Sequence, residues 1–217
     1  MMTDAATAEE PPLVLIVDDD EDVREAIREL LLSVGLDALC YASTRELLDS
    51  PSLEQTACLV LDVRMPGLSG LDLQQRLAAG GITKPIVFLT GHGDIPMSVQ
   101  AMKAGAVDFL TKPVRDQTLI DAVISGIERD AVQRASARIV QQHVDRFSKL
   151  TPREGQVMRE VARGRLNKQI AYDLGITEIT VKLHRSNVMK KMGAASIGEL
   201  IRAWENLPAN IREAKPA

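Results

Sequence analysis

Four short apolar runs in the first half of the chain each end in side chains that could do chemistry: Asp18 and Asp19, Asp62, Thr90, and Lys112. A short apolar run bounded by turn residues is typical of a strand that is buried on both faces. The carboxyl ends of parallel strands meet at one edge of a sheet, where ligands bind in open α/β folds. The sequence therefore predicts that these five side chains, although far apart in the chain, lie at the same edge.

The chemistry of this predicted cluster depends on its three carboxylates. Three negative charges within a few ångströms repel one another, so either a carboxyl pKa rises or a cation compensates. Mg2+ commonly takes one or two carboxylates, water and a phosphate oxygen. With Lys112 as a second positive charge and Thr90 as a hydroxyl donor, the set fits a carboxylate that accepts a phosphoryl group. The alternative for a single aspartate is a turn or a helix cap, and we expect Asp20 to cap the next helix.

The elements that would position this cluster alternate between strand and helix over residues 12–127. Apolar residues recur at helical spacing after each strand, and several of these helices end at a glycine. Five strands and five helices in strict alternation predict an α/β fold with a doubly wound parallel sheet. In the flavodoxin-like strand order 2-1-3-4-5, strands 1 and 3 are neighbours, which would let Asp18, Asp19 and Asp62 share one ion.

Length and charge indicate two domains with different partners. The chain has 217 residues and a net charge of −4, but residues 1–147 carry a net −10 and residues 148–217 a net +6. A basic half indicates an anionic polymer as partner, and an ordinary solvated surface is the alternative. No apolar run approaches the roughly 18 residues of a membrane-spanning helix. Cys40 and Cys58 lie in predicted strands, which favours small core residues over a disulfide or a metal site.

The second half, residues 148–208, predicts an all-α domain of four helices that contains a helix-turn-helix. Thr151, Asn167, Thr177 and Ser196 are the predicted N-caps of these helices. Two short helices around Gly175 match the helix-turn-helix pattern. The third helix, from Thr177 to about residue 192, is the candidate for reading DNA.

The predicted DNA contacts come from this third helix and from the elements beside it. If Val181, His184 and Val188 face inward, the opposite face is basic, and Lys182 and Arg185 could donate to guanine edges or to phosphates. Lys168, Thr177, Thr180 and Asn187 would contact phosphate or sugar and fix the register. The full predicted set is Lys168, Thr177, Thr180, Lys182, Leu183, Arg185, Ser186, Asn187 and Lys190. A small helical domain with a solvated basic face is the alternative.

Both halves resemble known bacterial domains. The first half resembles the receiver domain of two-component response regulators through the motifs Val17-Asp18-Asp19, Leu61-Asp62-Val63-Arg64-Met65-Pro66, Thr90-Gly91 and Lys112-Pro113. The second half resembles the LuxR-type output domain through Leu150-Thr151-Pro152-Arg153-Glu154, Asn167-Lys168-Gln169-Ile170-Ala171 and Thr180-Val181-Lys182-Leu183-His184. Together they resemble the NarL/FixJ class of response regulators, and Arg64 and Gly91-His92-Gly93 favour the FixJ branch.

The resemblance implies a role for each residue of the receiver half. Asp62 would be the phospho-acceptor, and Lys112-Pro113 would be a cis peptide, which an X-Pro bond can adopt at low cost. The predicted Mg2+ ligands are Asp18, Asp19, Asp62 and the backbone carbonyl of Arg64.

The resemblance also implies a switch and a set of partners. Phosphoryl transfer from a cognate sensor histidine kinase would recruit the Thr90 hydroxyl and let Phe109 turn inward. The surface of the fourth helix, fifth strand and fifth helix would then change, and the candidates for a dimer face on it are Val99, Lys103, Asp108 and Arg115. A phosphorylated homodimer would place two reading helices on double-stranded DNA. We expect this to occur in the cytoplasm, with RNA polymerase as a further partner and without a membrane.

The expected domains are a disordered tail at 1–11, the receiver at 12–127, a helical linker at 128–147, the LuxR-type domain at 148–208 and a tail at 209–217. For the linker, a solvated tether and a coiled coil remain alternatives. The receiver is expected to catalyse only its own phosphorylation and dephosphorylation, so the chain is not predicted to be an enzyme. Two other functions remain open. One is a DNA-binding protein whose receiver-like half only dimerises, and the other is a Mg2+-dependent phosphatase or phosphotransferase acting on small molecules.

Overall fold

The structure is a computed structural model that describes residues 11–213. The chain divides into two compact units, with the boundary between Gln133 and Arg134. The predicted N-terminal tail lies outside the described residues, apart from Pro11.

The strands of residues 11–213 all lie in the first unit and form one parallel sheet of five strands in the order β2-β1-β3-β4-β5. This confirms the predicted fold and strand order. The strands are β1 Leu13–Val17, β2 Asp37–Tyr41, β3 Cys58–Leu61, β4 Ile86–Thr90 and β5 Asp108–Thr111. All residues of β3 and β4 are buried, as expected for central strands with helices on both faces.

The register of the strands determines which side chains meet at the carboxyl edge. Val17 of β1 pairs with Leu61 of β3, so Asp18 and Asp62 are the next residues on two adjacent strands. The pairing of β4 with β5 runs to the last residue of both strands, and Lys112 follows directly. The predicted cluster therefore lies at one edge of the sheet.

Six helices begin in the described part of the first unit: α1 Glu21–Ser33, α2 Thr44–Leu48, α3 Ser52–Gln55, α4 Gly70–Ala79, α5 Ile95–Lys103 and α6 Asp116–Ser148. The Asp20 side chain accepts hydrogen bonds from the backbone nitrogens of Asp22 and Val23, so its predicted capping role is confirmed. The Asp94 side chain caps α5 in the same way. The sequence did not predict α3, which is a single turn that buries Leu53.

Two apolar layers pack on the two faces of the sheet, one containing Phe88 and Leu73 and the other containing Val60 and Val123. Helix α6 approaches the sheet closely at Gly126, where an added Cβ would lie 2.6 Å from the Sγ atom of Cys58. Both cysteines are free, and Cys58 is fully buried in the core. This agrees with the prediction that they are small core residues.

Helix α6 continues without a break from the first unit through the predicted linker to Ser148. The observed helix corresponds to the predicted extension of the last receiver helix rather than to a tether. Within the first unit, the buried Asp130 carboxylate lies 3.7 Å from the Lys84 ammonium, which also donates to the carbonyls of Glu54 and Thr56. Among residues 11–213, no helix combines the length and apolar character needed to cross a membrane.

Besides the end of α6, the described part of the second unit contains five helices: α7 Pro152–Ala162, α8 Asn167–Leu174, α9 Glu178–Met192, α10 Ile197–Glu205 and α11 Ala209–Glu213. Their core includes Val157, Ile170, Val181 and Leu200. Gly175 has a φ of 65° at the C-terminus of α8, a left-handed conformation that glycine adopts without strain. The sharp turn predicted between α8 and α9 is therefore present.

Two predictions for this unit need correction. Asn167 does not cap α8 but is its first residue, because Leu166 takes the N-cap position and the Gln169 side chain accepts a hydrogen bond from the Leu166 backbone nitrogen. The predicted tail at 209–217 is helical over Ala209–Glu213, where Ile211 packs against the core, and its residues 214–217 lie outside the described residues. The predicted caps Thr151, Thr177 and Ser196 are confirmed.

Candidate functional site

Three carboxylates meet at the carboxyl edge of the sheet, as predicted. One oxygen from each of Asp18, Asp19 and Asp62 lies within 4.8 Å of the others. Asp18 and Asp62 are buried, at 3% and 8% exposure, and Asp19 is exposed. The cluster therefore has two carboxylates fixed in the protein and one that faces solvent.

Backbone hydrogen bonds hold the two buried aspartates in place. The Asp62 backbone nitrogen donates to the Val17 carbonyl and extends the pairing of β3 with β1 beyond the strand end. The Arg64 backbone nitrogen donates to the Asp62 Oδ1 atom at 3.1 Å. An added Cβ on Gly70 would lie 2.2 Å from the Asp62 carbonyl oxygen. The start of α4 can therefore lie this close to the end of β3 only because residue 70 is glycine.

Lys112 joins the two buried carboxylates. Its Nζ atom lies 2.5 Å from Asp18 Oδ2 and 3.1 Å from Asp62 Oδ2. Burial raises the pKa of Asp18, and the hydrogen bond from Lys112 offsets only part of this effect. Burial acts to lower the pKa of Lys112, but the two carboxylates outweigh it and the pKa is raised. The Lys112-Pro113 peptide is cis, as predicted.

The donor set of this cluster fits a hard divalent cation. Carboxylate oxygens are the ligands that Mg2+ prefers, and one or two of them with water satisfy its octahedral geometry. The exposed carboxylate of Asp19 leaves a path to solvent for those waters. Thiolates and imidazoles, which softer metals would use, are not part of this cluster of described residues.

The two predicted switch residues lie on the neighbouring strands β4 and β5. Thr90 is 1% exposed, and its hydroxyl accepts a hydrogen bond from the backbone nitrogen of His92 at 3.4 Å. Phe109 is half-buried, and its ring centroid lies 5.9 Å from that of Phe88. Phe109 thus packs on the core but is only partly buried.

The predicted dimer-face residues do not share one element. Val99 and Lys103 are exposed one turn apart on α5. Asp108 is half-buried at the first position of β5, whereas Arg115 is exposed beyond its last position. Ile95, which was not among the predicted dimer-face residues, is 79% exposed on the same helix as Val99. Its position one turn before Val99 was the available signal.

The predicted reading helix is α9. Val181 and Val188 are buried against the core, as predicted. The predicted DNA contacts that are exposed are Lys168, Thr177, Lys182, Leu183, Ser186 and Lys190, and those that are half-buried are Thr180, Arg185 and Asn187.

Three of the predicted contact residues make hydrogen bonds within the protein. The Arg185 guanidinium donates to the Asn167 Oδ1 atom at 2.7 Å and so joins α9 to the start of α8. The Thr177 and Thr180 hydroxyls lie 2.9 Å apart and hydrogen bond to each other. These side chains are pre-positioned by the fold, while Lys182 and Lys190 extend into solvent.

The reading surface has an apolar part, of which the sequence predicted Leu183 but not Ile179. Ile179 is 80% exposed, and Leu183, one turn later on α9, is 59% exposed. The i, i+4 spacing of two large aliphatic residues outside the core stripe was the available signal. Aliphatic side chains in this position can contact thymine methyl groups in the major groove.

Comparisons with known proteins agree with this geometry in both halves. Residues 14–124 match the response regulator receiver domain, and residues 148–204 match the luxR family of bacterial regulatory proteins. The chain is 53% identical to nodulation protein W of Bradyrhizobium diazoefficiens, over 90% of this chain and 86% of the relative. It is 44% identical to the transcriptional regulatory protein FixJ of Azorhizobium caulinodans, over 87% and 90% of the two chains.

This protein belongs to the NarL/FixJ family of response regulators. Among solved structures, that of the response regulator StyR has a TM-score of 0.80 and 47% identity, over 90% of this chain and 99% of that chain. Full-length FixJ from B. japonicum has a TM-score of 0.54 and 38% identity, over 91% and 98%. The predicted family is confirmed. The predicted function, a transcriptional regulator that depends on phosphorylation, is confirmed with it. This is a class of regulators with a DNA-binding domain and not a family of catalytic enzymes.

The reading helix of this response regulator is anchored at its C-terminal end. The buried carboxylate of Glu154, in the first turn of α7, accepts a hydrogen bond from the Lys191 ammonium at 2.6 Å. Arg146 donates to the Met192 carbonyl at 3.0 Å. Burial acts to raise the pKa of Glu154, but hydrogen bonds from Lys191 and Thr151 outweigh it and lower this pKa to about 2. The anchoring carboxylate is therefore ionised at neutral pH.

Proposed function

We propose that Asp62 accepts a phosphoryl group from a sensor histidine kinase and that this controls DNA binding by α9. The observation that carries the proposal is the position of Lys112, whose ammonium contacts both Asp18 and Asp62. The arrival of a phosphoryl group adds negative charge to the site, and a fixed cation beside the two buried carboxylates would stabilise that charge.

The proposed transfer is an in-line displacement. An oxygen of the Asp62 carboxylate attacks the phosphorus of the kinase phosphohistidine, a P–O bond forms, and the P–N bond breaks with its electron pair leaving on the imidazole. Asp18, Asp19, Asp62 and the backbone carbonyl of Arg64 would hold Mg2+, which would neutralise charge on the oxygens of the transferring group. Lys112 holds one of those oxygens from the β5 side. The receiver thus assists only reactions of its own Asp62.

We propose that Thr90 and Phe109 report the new phosphoryl group. The buried Thr90 hydroxyl, now in contact with the His92 backbone, would donate to a phosphoryl oxygen. The half-buried ring of Phe109 would then move inward, and the surface that carries Val99, Lys103, Asp108 and Arg115 would favour a homodimer. Each step shifts a population, so the unphosphorylated protein should retain weak DNA binding.

The output of the switch is sequence-specific binding to double-stranded DNA. Lys182, Leu183 and Ser186 are exposed on α9 and would meet base edges in the major groove. Lys168, Thr177, Thr180, Asn187 and Lys190 would contact the phosphate backbone, and Arg185 would orient Asn167. Two such helices in a dimer would bind a two-fold site in the cytoplasm and recruit RNA polymerase there.

The proposal is tested with Asp62→Asn and a small phosphodonor such as acetyl phosphate. The variant should take up no phosphoryl group, as measured by intact-protein mass. Asp20→Asn is the matched control, because asparagine is an equally good helix cap and Asp20 only caps α1. Phosphoryl uptake by Asp62→Asn at the rate of the control would exclude Asp62 as the acceptor.

A second measurement separates this proposal from a module that only dimerises. A duplex is first selected from a random-sequence pool by the protein saturated with Mg2+ and beryllofluoride, a phosphoryl mimic. The protein should bind this duplex at least about tenfold more tightly with the mimic than without it. Equal affinities would favour a receiver half that acts without phosphorylation.

A further inference from the structure

Gly93 lies in the short loop between β4 and α5, directly against the two proposed switch residues. A Cβ added to Gly93 would lie 2.7 Å from Cε1 and 3.2 Å from Cζ of the Phe109 ring. The same Cβ would lie 3.3 Å from the Cγ2 atom of Thr90. Carbon atoms in contact are normally about 3.5–4.0 Å apart. The observed position of the ring is therefore compatible with glycine and with no larger residue at 93.

The neighbouring Gly91 provides an internal comparison. It belongs to the same loop, but an added Cβ would have no atom within 4 Å. Neither Gly91 nor Gly93 has a positive φ, so the backbone of both positions accepts an L-residue. Conformational freedom therefore does not explain the need for glycine at 93, and the contact with the Phe109 ring does.

The packing of Phe109 explains how such a contact could act on the switch. The ring is half-buried, with Phe88 on one side and the backbone of the loop at Gly93 on another. Thr90 is at the start of this loop, so a movement of Thr90 also displaces the backbone on which the ring edge rests. A side chain at 93 would push the ring away before any such movement.

We propose that Gly93 is a positioning residue that couples Thr90 to Phe109, because its missing side chain lets the loop backbone lie against the ring. The inference rests on the proposed function, since it concerns how the phosphoryl group at Asp62 reaches the dimer face. Any residue larger than glycine displaces the ring in the unphosphorylated protein and reduces the change that phosphorylation produces.

Fluorine NMR of the full chain tests the contact itself. The sequence has three phenylalanines, so 4-fluorophenylalanine gives three resonances, and Phe109→Leu identifies that of Phe109. Gly93→Ala should shift the Phe109 resonance in the absence of any phosphoryl mimic, and Gly91→Ala should leave it unchanged. Phe147 lies in the other unit and serves as an internal reference. An unchanged Phe109 resonance in Gly93→Ala would overturn the proposal.

The effect on signalling is measured as an affinity ratio for the selected duplex, with and without saturating beryllofluoride and Mg2+. Because the mimic is saturating, the ratio does not depend on the rate of phosphoryl uptake. We expect the ratio to fall at least about fivefold in Gly93→Ala and to stay within about twofold of wild type in Gly91→Ala. Equal ratios in all three proteins, or equal losses in both variants, would overturn the inference and leave the proposed function intact. A wild-type protein that does not respond to the mimic would overturn both.

A double variant separates a lost contact from a damaged fold. Leucine ends at Cδ and lacks the two ring atoms that the new Cβ would meet. In a Phe109→Leu background only the 3.3 Å contact with Thr90 remains, so Gly93→Ala should lower the affinity ratio and the melting temperature less than it does in the wild type. If Gly93→Ala fails to fold alone but folds in this background, the contact is supported, whereas failure in both backgrounds would contradict it.

Discussion

The ion pair between Glu154 and Lys191 gives a stability prediction whose size follows from the structure. Glu154 is 3% exposed, and its pKa is about 2 against an ordinary value of 4.5. A difference of about 2.5 in pKa corresponds to about 3 kcal/mol of folding free energy. Glutamine keeps part of the hydrogen bonding and Lys191 is about one-third exposed to screening solvent. We therefore expect Glu154→Gln to lower the free energy of unfolding by about 2 kcal/mol at pH 7.

The pH dependence of this loss has a defined sign. Folding lowers the pKa of Glu154, so its contribution is complete above the unfolded-state pKa of 4.5 and disappears as the pH falls through about 2. When the pH falls from 7 to 3.5, the free energy of unfolding of the wild type should decrease by about 1.4 kcal/mol more than that of Glu154→Gln. The difference between the two proteins should therefore shrink on acidification.

The assay is urea unfolding followed by tryptophan fluorescence. Trp204 is the single tryptophan of the chain and packs 6.0 Å from the ring of Phe147, so its signal reports the unfolding of the second unit. Glu205→Gln is the control, because Glu205 is exposed and its substitution should change stability by less than about 0.5 kcal/mol. Two results would refute the reasoning. One is a urea midpoint of Glu154→Gln equal to that of Glu205→Gln, and the other is a difference in the free energy of unfolding between wild type and Glu154→Gln that stays constant down to pH 3.5.

Two further predictions concern the DNA-reading surface. Lys182→Ala should reduce discrimination between the selected duplex and a scrambled one, whereas Lys168→Ala should weaken binding to both equally and reduce the salt slope by about one. Equal discrimination losses in binding titrations would contradict this assignment of base and phosphate contacts. Replacing thymine by uracil in the selected duplex should weaken binding about fourfold for each methyl group contacted by Ile179 or Leu183. Leu183→Ala should remove this sensitivity at one base pair, and a variant that still distinguishes thymine from uracil there would count against an apolar contact.

The residues that bear the phosphoryl chemistry could be predicted because each follows an apolar run. Asp18, Asp62 and Lys112 lie at strand ends, and parallel pairing necessarily gathers strand ends at one edge. The order of the strands is not contained in this pattern, and it was taken from the flavodoxin-like order that is common among doubly wound sheets. Asp20 could be assigned as a cap because capping is a local property of three or four residues.

Features that depend on contacts distant in sequence could not be predicted in the same way. The hydrogen bond of Arg185 to Asn167 joins two helices, and helical periodicity alone showed only that Arg185 points away from Val181. Asn167 was assigned as a cap from its residue type, but the chain uses Gln169 to satisfy the backbone at Leu166. The closeness of Gly93 to Phe109 depends on how a loop folds back over β5, which no local pattern encodes.

The close approach of α6 to the sheet has a practical consequence for thiol chemistry. Cys58 is buried against Gly126 of α6, and burial raises the pKa of its thiol to about 12. The reactive thiolate of Cys58 is therefore almost absent at neutral pH. Cys40 is only half-buried, but its pKa is also raised and its Sγ atom contacts the Arg24 carbonyl. Maleimide probes should therefore spare Cys58 and react slowly with Cys40. A cysteine introduced at an exposed position such as Ile95 could carry a spectroscopic label, with Cys40→Ser as the background that removes residual labelling.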